Sequence, residues 1–99
     1  MIMEQKTFNY IKLTEIAQTC AGCPTVFEGK TVNGDDFYFR FRWGKMRFEI
    51  NDEPILYVNY GNDSWAGICD WEEAKQVALQ NRLVIDDSEA EWKTEEDYL

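Results

Sequence analysis

The chain has 99 residues, a net charge of -9 and an apolar content of 44%, which excludes a disordered protein and predicts one domain. No apolar run is long enough to span a membrane and Met1–Tyr10 lacks the features of a signal peptide, so we expect a protein of the cytoplasm. Histidine is absent, which removes Ser-His-Asp and Cys-His catalysis; we expect a protein that is not an enzyme and holds no cofactor.

The N-terminal part predicts a short edge strand, Phe8–Ile11, followed by a helix, Thr14–Cys20. Apolar residues recur at helical spacing in the second segment, and Thr14 can cap its start. Gly22 and Pro24 then end the helix.

Two strands, Thr25–Val32 and Asp36–Trp43, are predicted on either side of an Asn33-Gly34 turn. A two-residue loop would put charged residues against the phenylalanines. A type I turn with a bulge at Gly34 shifts the register by one and sets Phe27 opposite Phe39. The hydrophobic pattern therefore favours the bulged form.

The segment Asp36–Ile50 alternates with period two. We expect a two-residue turn at Gly44-Lys45 that pairs Trp43 with Met46 and sets Arg42 opposite Arg47. The predicted core side is Phe37, Phe39, Phe41, Trp43, Met46, Phe48 and Ile50. The predicted outer side is Tyr38, Arg40, Arg42, Lys45, Arg47 and Glu49, extended by Tyr57 of a fourth strand, Ile55–Tyr60.

Asp70 is a strong N-cap for a second helix that ends at Asn81 and buries Trp71, Ala74, Val77 and Ala78. Leu83–Ile85 predicts an edge strand. The predicted fold is α+β, a four-stranded antiparallel β-meander with two helices packed on one face. Residues 1–85 form this domain in the prediction, and residues 86–99 form an acidic C-terminal tail that is a frayed helix.

Residues 86–99 contain seven acids and one base, which is most of the net negative charge. Such acidity disfavours duplex DNA and favours a partner with a basic surface, although solubility alone also explains it. A tryptophan among acids is a plausible docking element. The predicted partner-binding residues are Asp86, Asp87, Glu89, Glu91, Trp92, Glu95, Glu96 and Asp97.

The arginine side of the sheet offers an alternative, a nucleotide- or anion-binding surface. Its predicted ligand-binding residues are Tyr38, Arg40, Arg42, Arg47 and Tyr57. The same surface is also explained as an ordinary solvated face with cross-strand ion pairs.

Three cysteines, an odd number, argue against a disulfide framework. Cys20 and Cys23 form a C-x-x-C pair, and Cys69 could join them in a zinc site. A zinc-stabilised structural domain is thus a further alternative. The simpler interpretation has Cys20 as a small core residue and Cys23 as a loop thiol.

The run Cys20–Gly29 (CAGCPTVFEG), followed by Phe37–Gly44 (FYFRFRWG), resembles a pattern in small uncharacterised phage and prophage proteins. The resemblance implies a short phage accessory gene. By analogy, small acidic phage proteins include inhibitors of bacterial defence systems, some of which mimic DNA. We therefore expect a phage-encoded inhibitor that binds a host defence protein at a basic, nucleic-acid-binding surface. The identity of that partner and the oligomeric state, a homodimer included, stay open.

Overall fold

The computed structural model describes residues 9–22, 24–61 and 66–98, which form a mixed, curled sheet with one helix. The strands are β1 (Tyr10–Cys20), β2 (Thr25–Thr31), β3 (Asp36–Arg42), β4 (Lys45–Ile50), β5 (Glu53–Asn59), β6 (Val84–Asp86) and β7 (Glu91–Trp92). Helix α1 spans Trp71–Gln80, and a 3₁₀ turn spans Glu95–Tyr98. The strand order is β5-β4-β3-β2-β1-β6, with β7 also paired to β1. The predicted four-stranded meander with two helices is therefore wrong.

The first predicted helix is instead the long strand β1. Two register shifts against β2, between Leu13 and Glu15 and between Gln18 and Cys20, interrupt its alternation. Each bulge shifts the alternation of inward and outward side chains by one residue, so the buried residues of this strand are spaced like those of an amphipathic helix. The predicted short edge strand is instead the start of β1, which as a whole lies between β2 and β6; Tyr10 and Ile11 pair with β6. Phe8 lies outside the described residues.

The β2–β3 hairpin has the predicted register, with Phe27 opposite Phe39 and Gly29 opposite Phe37. The amide of Gly34 donates to the Thr31 carbonyl at 2.9 Å, and Gly34 has the positive φ of +85° that the bulged turn requires.

The β3–β4 hairpin turns one residue earlier than predicted, at Trp43-Gly44. Both residues have positive φ, 55° and 70°, as in a type I′ turn. Phe41 is therefore opposite Met46, and Arg40 rather than Arg42 is opposite Arg47. The prediction that Trp43 faces the core is wrong, since its side chain is exposed.

The hydrophobic core lies between the phenylalanine side of the sheet and helix α1. The helix is capped at its start by Asp70, whose carboxylate accepts from the Glu73 amide at 2.7 Å, and at its end by Asn81, as predicted. Its predicted inner stripe is buried. Trp71 packs against Phe27 with ring centroids 5.0 Å apart. Among the described residues, no helix is long and apolar enough to cross a membrane.

The C-terminal part runs parallel to β1, closing the edge that β2 leaves open. Val84–Asp86 pairs with Tyr10–Lys12, so the predicted edge strand at Leu83–Ile85 is confirmed with a one-residue shift. Further along, Glu91 and Trp92 pair with Glu15 and Ile16. The tail is therefore an extended segment ending in a 3₁₀ turn, and the predicted frayed helix is wrong.

Candidate functional site

The polar side of the sheet collects the predicted ligand-binding residues into rows across the strands. The ladder places Arg40 opposite Arg47, and Arg47 opposite Tyr57 on β5. The next row toward the β3–β4 turn pairs Arg42 with Lys45. Opposed strands are about 5 Å apart and alternate residues on a strand about 7 Å apart, so four cationic side chains start from a rectangle of that size.

We call this surface the cationic–aromatic patch and define it by six residues, Arg40, Arg42, Trp43, Lys45, Arg47 and Tyr57. It includes four of the five predicted ligand-binding residues, and the fifth, Tyr38, lies one row away opposite Glu49. Trp43 was missed because it was expected in the core. A two-residue turn at Trp43-Gly44 was the alternative from which an exposed Trp43 could have been predicted.

Among the described residues, each lysine outside the patch pairs with a neighbouring carboxylate. Lys12 pairs with Glu89, Lys30 with Asp36, Lys75 with Glu72 and Asp87, and Lys93 with Glu91. By contrast, Arg40, Arg42 and Lys45 form no ion pair with any residue in the described ranges. Of the described cations that form no ion pair, three therefore lie on this surface, and Arg82 lies elsewhere.

Arg47 is the partial exception within the patch. Its Nε contacts the carboxylate of Glu49, two residues along the same strand. That Nε is buried and lacks the angle of a hydrogen bond, so this is an ion pair without directional bonding. The rest of the Arg47 guanidinium keeps donors for another acceptor.

The two aromatic side chains of the patch are held by cations. Trp43 is 56% exposed and Tyr57 is 59% exposed. The Arg42 guanidinium carbon lies 4.4 Å from the centroid of the Trp43 ring, and Lys45 Nζ lies 5.8 Å from that of Tyr57. Cation–π contacts of this kind hold a ring at the surface beside a positive charge, the combination on which single-strand nucleic-acid binders stack bases and bind phosphates.

The opposite end of the same polar side is acidic. A cleft of about 430 Å³ is lined by Glu15, Glu28, Gly29, Lys30, Asp36, Phe37, Tyr38, Asp52, Asp97 and Tyr98. We call it the carboxylate cleft. Tyr98, from the 3₁₀ turn, donates to Glu15 at 2.5 Å, and burial with this hydrogen bond raises the pKa of Tyr98. Burial also raises the pKa of Tyr38, and Glu28 and Glu49 add to the effect.

The predicted partner-binding acids divide into structural and exposed groups. Asp86 accepts from the hydroxyl groups of Ser88 and Tyr10, both at 2.6 Å, and these bonds lower its pKa to about 2. Asp87 accepts from Trp71 Nε1 at 2.7 Å and from Lys75 at 3.0 Å. These two carboxylates fix the C-terminal segment to the rest of the fold.

The remaining tail residues lie nearer the surface. Asp97 accepts from the backbone amide and the hydroxyl of Thr94 at 3.0 and 3.1 Å. Trp92 is 53% exposed and packs edge-on against Phe27 and Trp71. Four exposed carboxylates flank it in sequence, those of Glu89, Glu91, Glu95 and Glu96.

The two described cysteines are not part of a group that could hold a metal ion. Cys69 is buried, and burial raises the pKa of its thiol to about 12. Cys20 is half-buried, and Cys23 lies outside the described residues. No group of three metal-ligating side chains occurs in ranges 9–22, 24–61 and 66–98.

Comparison of the chain with models of protein families, with curated proteins and with solved structures gives no match.

Proposed function

We propose that the chain is a non-enzymatic binding protein whose cationic–aromatic patch holds a nucleotide. The observation that carries this proposal is the grouping of two exposed rings with Arg40, Arg42 and Lys45, which form no ion pair with any described residue. On a chain with ten cationic residues, four belong to this one surface. A surface that is merely solvated does not require four cationic residues to be grouped in this way.

The opposed pair Arg40–Arg47 is the centre of the proposed site. Like charges directly opposite each other on neighbouring strands destabilise a sheet by a few tenths of a kcal/mol or more. A phosphate between the two guanidinium groups converts this repulsion into charge-assisted hydrogen bonds, for which arginine has suitable planar geometry.

Trp43 and Tyr57 supply the second part of the recognition. Stacking of a base on an aromatic side chain contributes about 1–3 kcal/mol and tolerates every base. The proposed ligand is small because the net charge of -9 repels a long polyanion at a distance, whereas a single nucleotide carries few charges. The absence of histidine supports binding without catalysis.

The test is a thermal-shift series with ATP, ADP, AMP, adenosine and pyrophosphate. A ligand at 100 times its Kd adds about 2.7 kcal/mol to the free energy of unfolding, or roughly 10–20 °C for a domain of this size. We expect the largest shifts from ATP and ADP, because adenosine lacks the charge and pyrophosphate lacks the ring.

Variants assign any shift to the patch. Arg40→Ala should weaken ATP binding by about 10-fold to 100-fold, since it removes a hydrogen bond to a charged group. Arg82→Gln is the matched control, because Arg82 is an exposed arginine outside the patch. No shift with any ligand of the series, or equal losses in both variants, would refute the proposal.

A second candidate, a phage-encoded inhibitor that docks on a basic host protein, is supported by the half-exposed Trp92 among exposed carboxylates. Deleting residues 86–99 is a poor test because it also removes strand β7 and the bonds of Asp86 and Asp87. The sharper test is a pull-down from host lysate with Glu95→Lys/Glu96→Lys, both exposed. Capture that survives this change and 1 M salt would contradict the candidate.

A further inference from the structure

The polar side of the sheet has an ordered sequence of charge along its strands. Starting from the carboxylate cleft, the rows are Glu15–Lys30–Asp36, then Glu28–Tyr38–Glu49, then Arg40–Arg47–Tyr57, then Arg42–Lys45. The first two rows are net negative and the last two are positive. The charge on this face therefore changes from negative to positive along the strands, over four rows of residues.

A face with this gradient is complementary to itself. A two-fold axis that lies in the face and crosses the strands reverses their direction, so the first row of one copy meets the fourth row of the other. The second row then meets the third. Two-fold interfaces are isologous, which means that every favourable pairing occurs twice.

The shapes at the two ends agree with this arrangement. The exposed Trp43 projects at the turn of the β3–β4 hairpin, at the positive end. The carboxylate cleft of about 430 Å³ lies at the negative end. In the antiparallel arrangement the turn of one copy lies over the cleft of the other, so the row of Arg42 meets the row of Asp36 and the row of Arg40 meets the row of Glu28.

We propose that two copies of this chain associate through their polar sheet faces in antiparallel orientation, the cationic–aromatic patch of each against the carboxylate cleft of the other. The face formed by five strands measures roughly 24 by 24 Å from standard strand spacings. Burying it on both copies removes on the order of 1,000 Å² from water, which is the size of a weak, transient interface. We expect a dissociation constant for the dimer on the order of tens to hundreds of micromolar.

Salt gives this dimer a distinctive signature. At 10 mM ionic strength the Debye length is about 30 Å, so the full charges of -9 on the two copies repel. Near 0.15 M the Debye length is about 8 Å, so the long-range repulsion is screened while the oppositely charged rows in contact still attract each other. At 1 M the attraction between the rows is screened too. Association therefore passes through a maximum, whereas an apolar interface strengthens steadily with salt.

Charge reversal tests the pairing directly. Arg40→Glu/Arg42→Glu makes the face acidic throughout, and Glu28→Lys/Asp36→Lys makes it basic at the cleft. Each double variant alone should sediment as a monomer of 11.7 kDa, and their mixture should regain a species of twice that mass. Arg82→Glu and Glu72→Lys, both exposed and off the polar side, are the matched controls and should behave as the wild type.

Sedimentation equilibrium at 300 µM over 0.01–1 M NaCl is the companion measurement on the wild type, and it holds even where a variant fails to fold. A monomer at every salt, or a dimer that only strengthens with salt, overturns the proposal. So does a mixture of folded variants that stays monomeric. One part rests on the proposed function, namely that ATP dissociates the dimer. A dimer indifferent to ATP refutes nucleotide binding at the patch, and ATP binding without any dimer refutes self-association.

Discussion

Gly29 on β2 is the position where one added methyl group should do the most damage. A Cβ built there lies 2.3 Å from the backbone carbonyl oxygen of Glu15, within the bulged part of β1. The obstacle is backbone, so no side-chain rotation relieves it. The two strands must separate by roughly 1 Å next to Leu13 and Ile16, which are fully buried.

The cost of Gly29→Ala follows from that separation. Loss of about two ladder hydrogen bonds at roughly 1 kcal/mol each, together with about 1–2 kcal/mol of strain from overpacking, lowers the free energy of unfolding by about 3–4 kcal/mol. A domain of this size has about 5–15 kcal/mol in total. The melting temperature should therefore fall by roughly 10–30 °C.

Urea unfolding followed by tryptophan fluorescence, with thermal unfolding by circular dichroism, measures this change. Gly22→Ala is the matched control, because a Cβ there meets nothing within 4 Å, and it should stay within about 0.5 kcal/mol of the wild type. If Gly29→Ala is as stable as Gly22→Ala, the close approach of β1 and β2 is not real and the bulged register is wrong.

Three further predictions concern the site and the C-terminal segment. Trp43→Asn should weaken ATP binding by about 5-fold to 100-fold, because it removes a stacking ring. The free energy of unfolding should stay within about 1 kcal/mol of the wild type, since asparagine tolerates the positive φ at this position. Unchanged affinity in titration calorimetry would show that Trp43 is not part of the site. The pKa of Asp86 is about 2 in the fold against 3.8 for the free side chain, so its stabilisation is present above pH 4 and is lost as the pH falls toward 2. Asp86→Asn should flatten the acid limb of stability against pH, and Glu96→Gln, the control for lost charge, should not. Cys69, buried with a pKa raised to about 12, should resist iodoacetamide at pH 8 in the native protein and react in urea, as peptide mapping would show; labelling as fast as that of Cys20 would contradict its burial.

The elements that the sequence predicted correctly are those fixed by nearby residues. The Asn33-Gly34 turn and the Asp70 cap each depend on two to four adjacent positions, and the structure confirms both. The β3–β4 register failed for a definite reason. Moving the turn by one residue shifts each opposed pair by two, which leaves every side chain on the same face, so the hydrophobic pattern cannot distinguish the registers.

Strand β1 and the C-terminal segment depend on distant residues. The bulges that interrupt the alternation of β1 are set by its pairing with β2, and its other edge is covered by a parallel segment more than 70 residues away. The pattern of neighbouring residues in the sequence predicts neither the bulges nor the distant parallel partner. For the candidate site, the alternation of Asp36–Ile50 identified the arginines, but which two oppose each other, and the exposure of Trp43, required the true register.

The pairing of β1 with Val84–Asp86 and Glu91–Trp92 has a consequence for how the protein is made. During translation the hairpins from β2 to β5 can form from neighbouring residues as they emerge, because their contacts are local. One edge of β1, however, stays unpaired until residues 84–92 have been synthesised. Chains truncated after residue 80 should therefore expose an open strand edge and aggregate, and chains that include residues 84–92 should stay monodisperse.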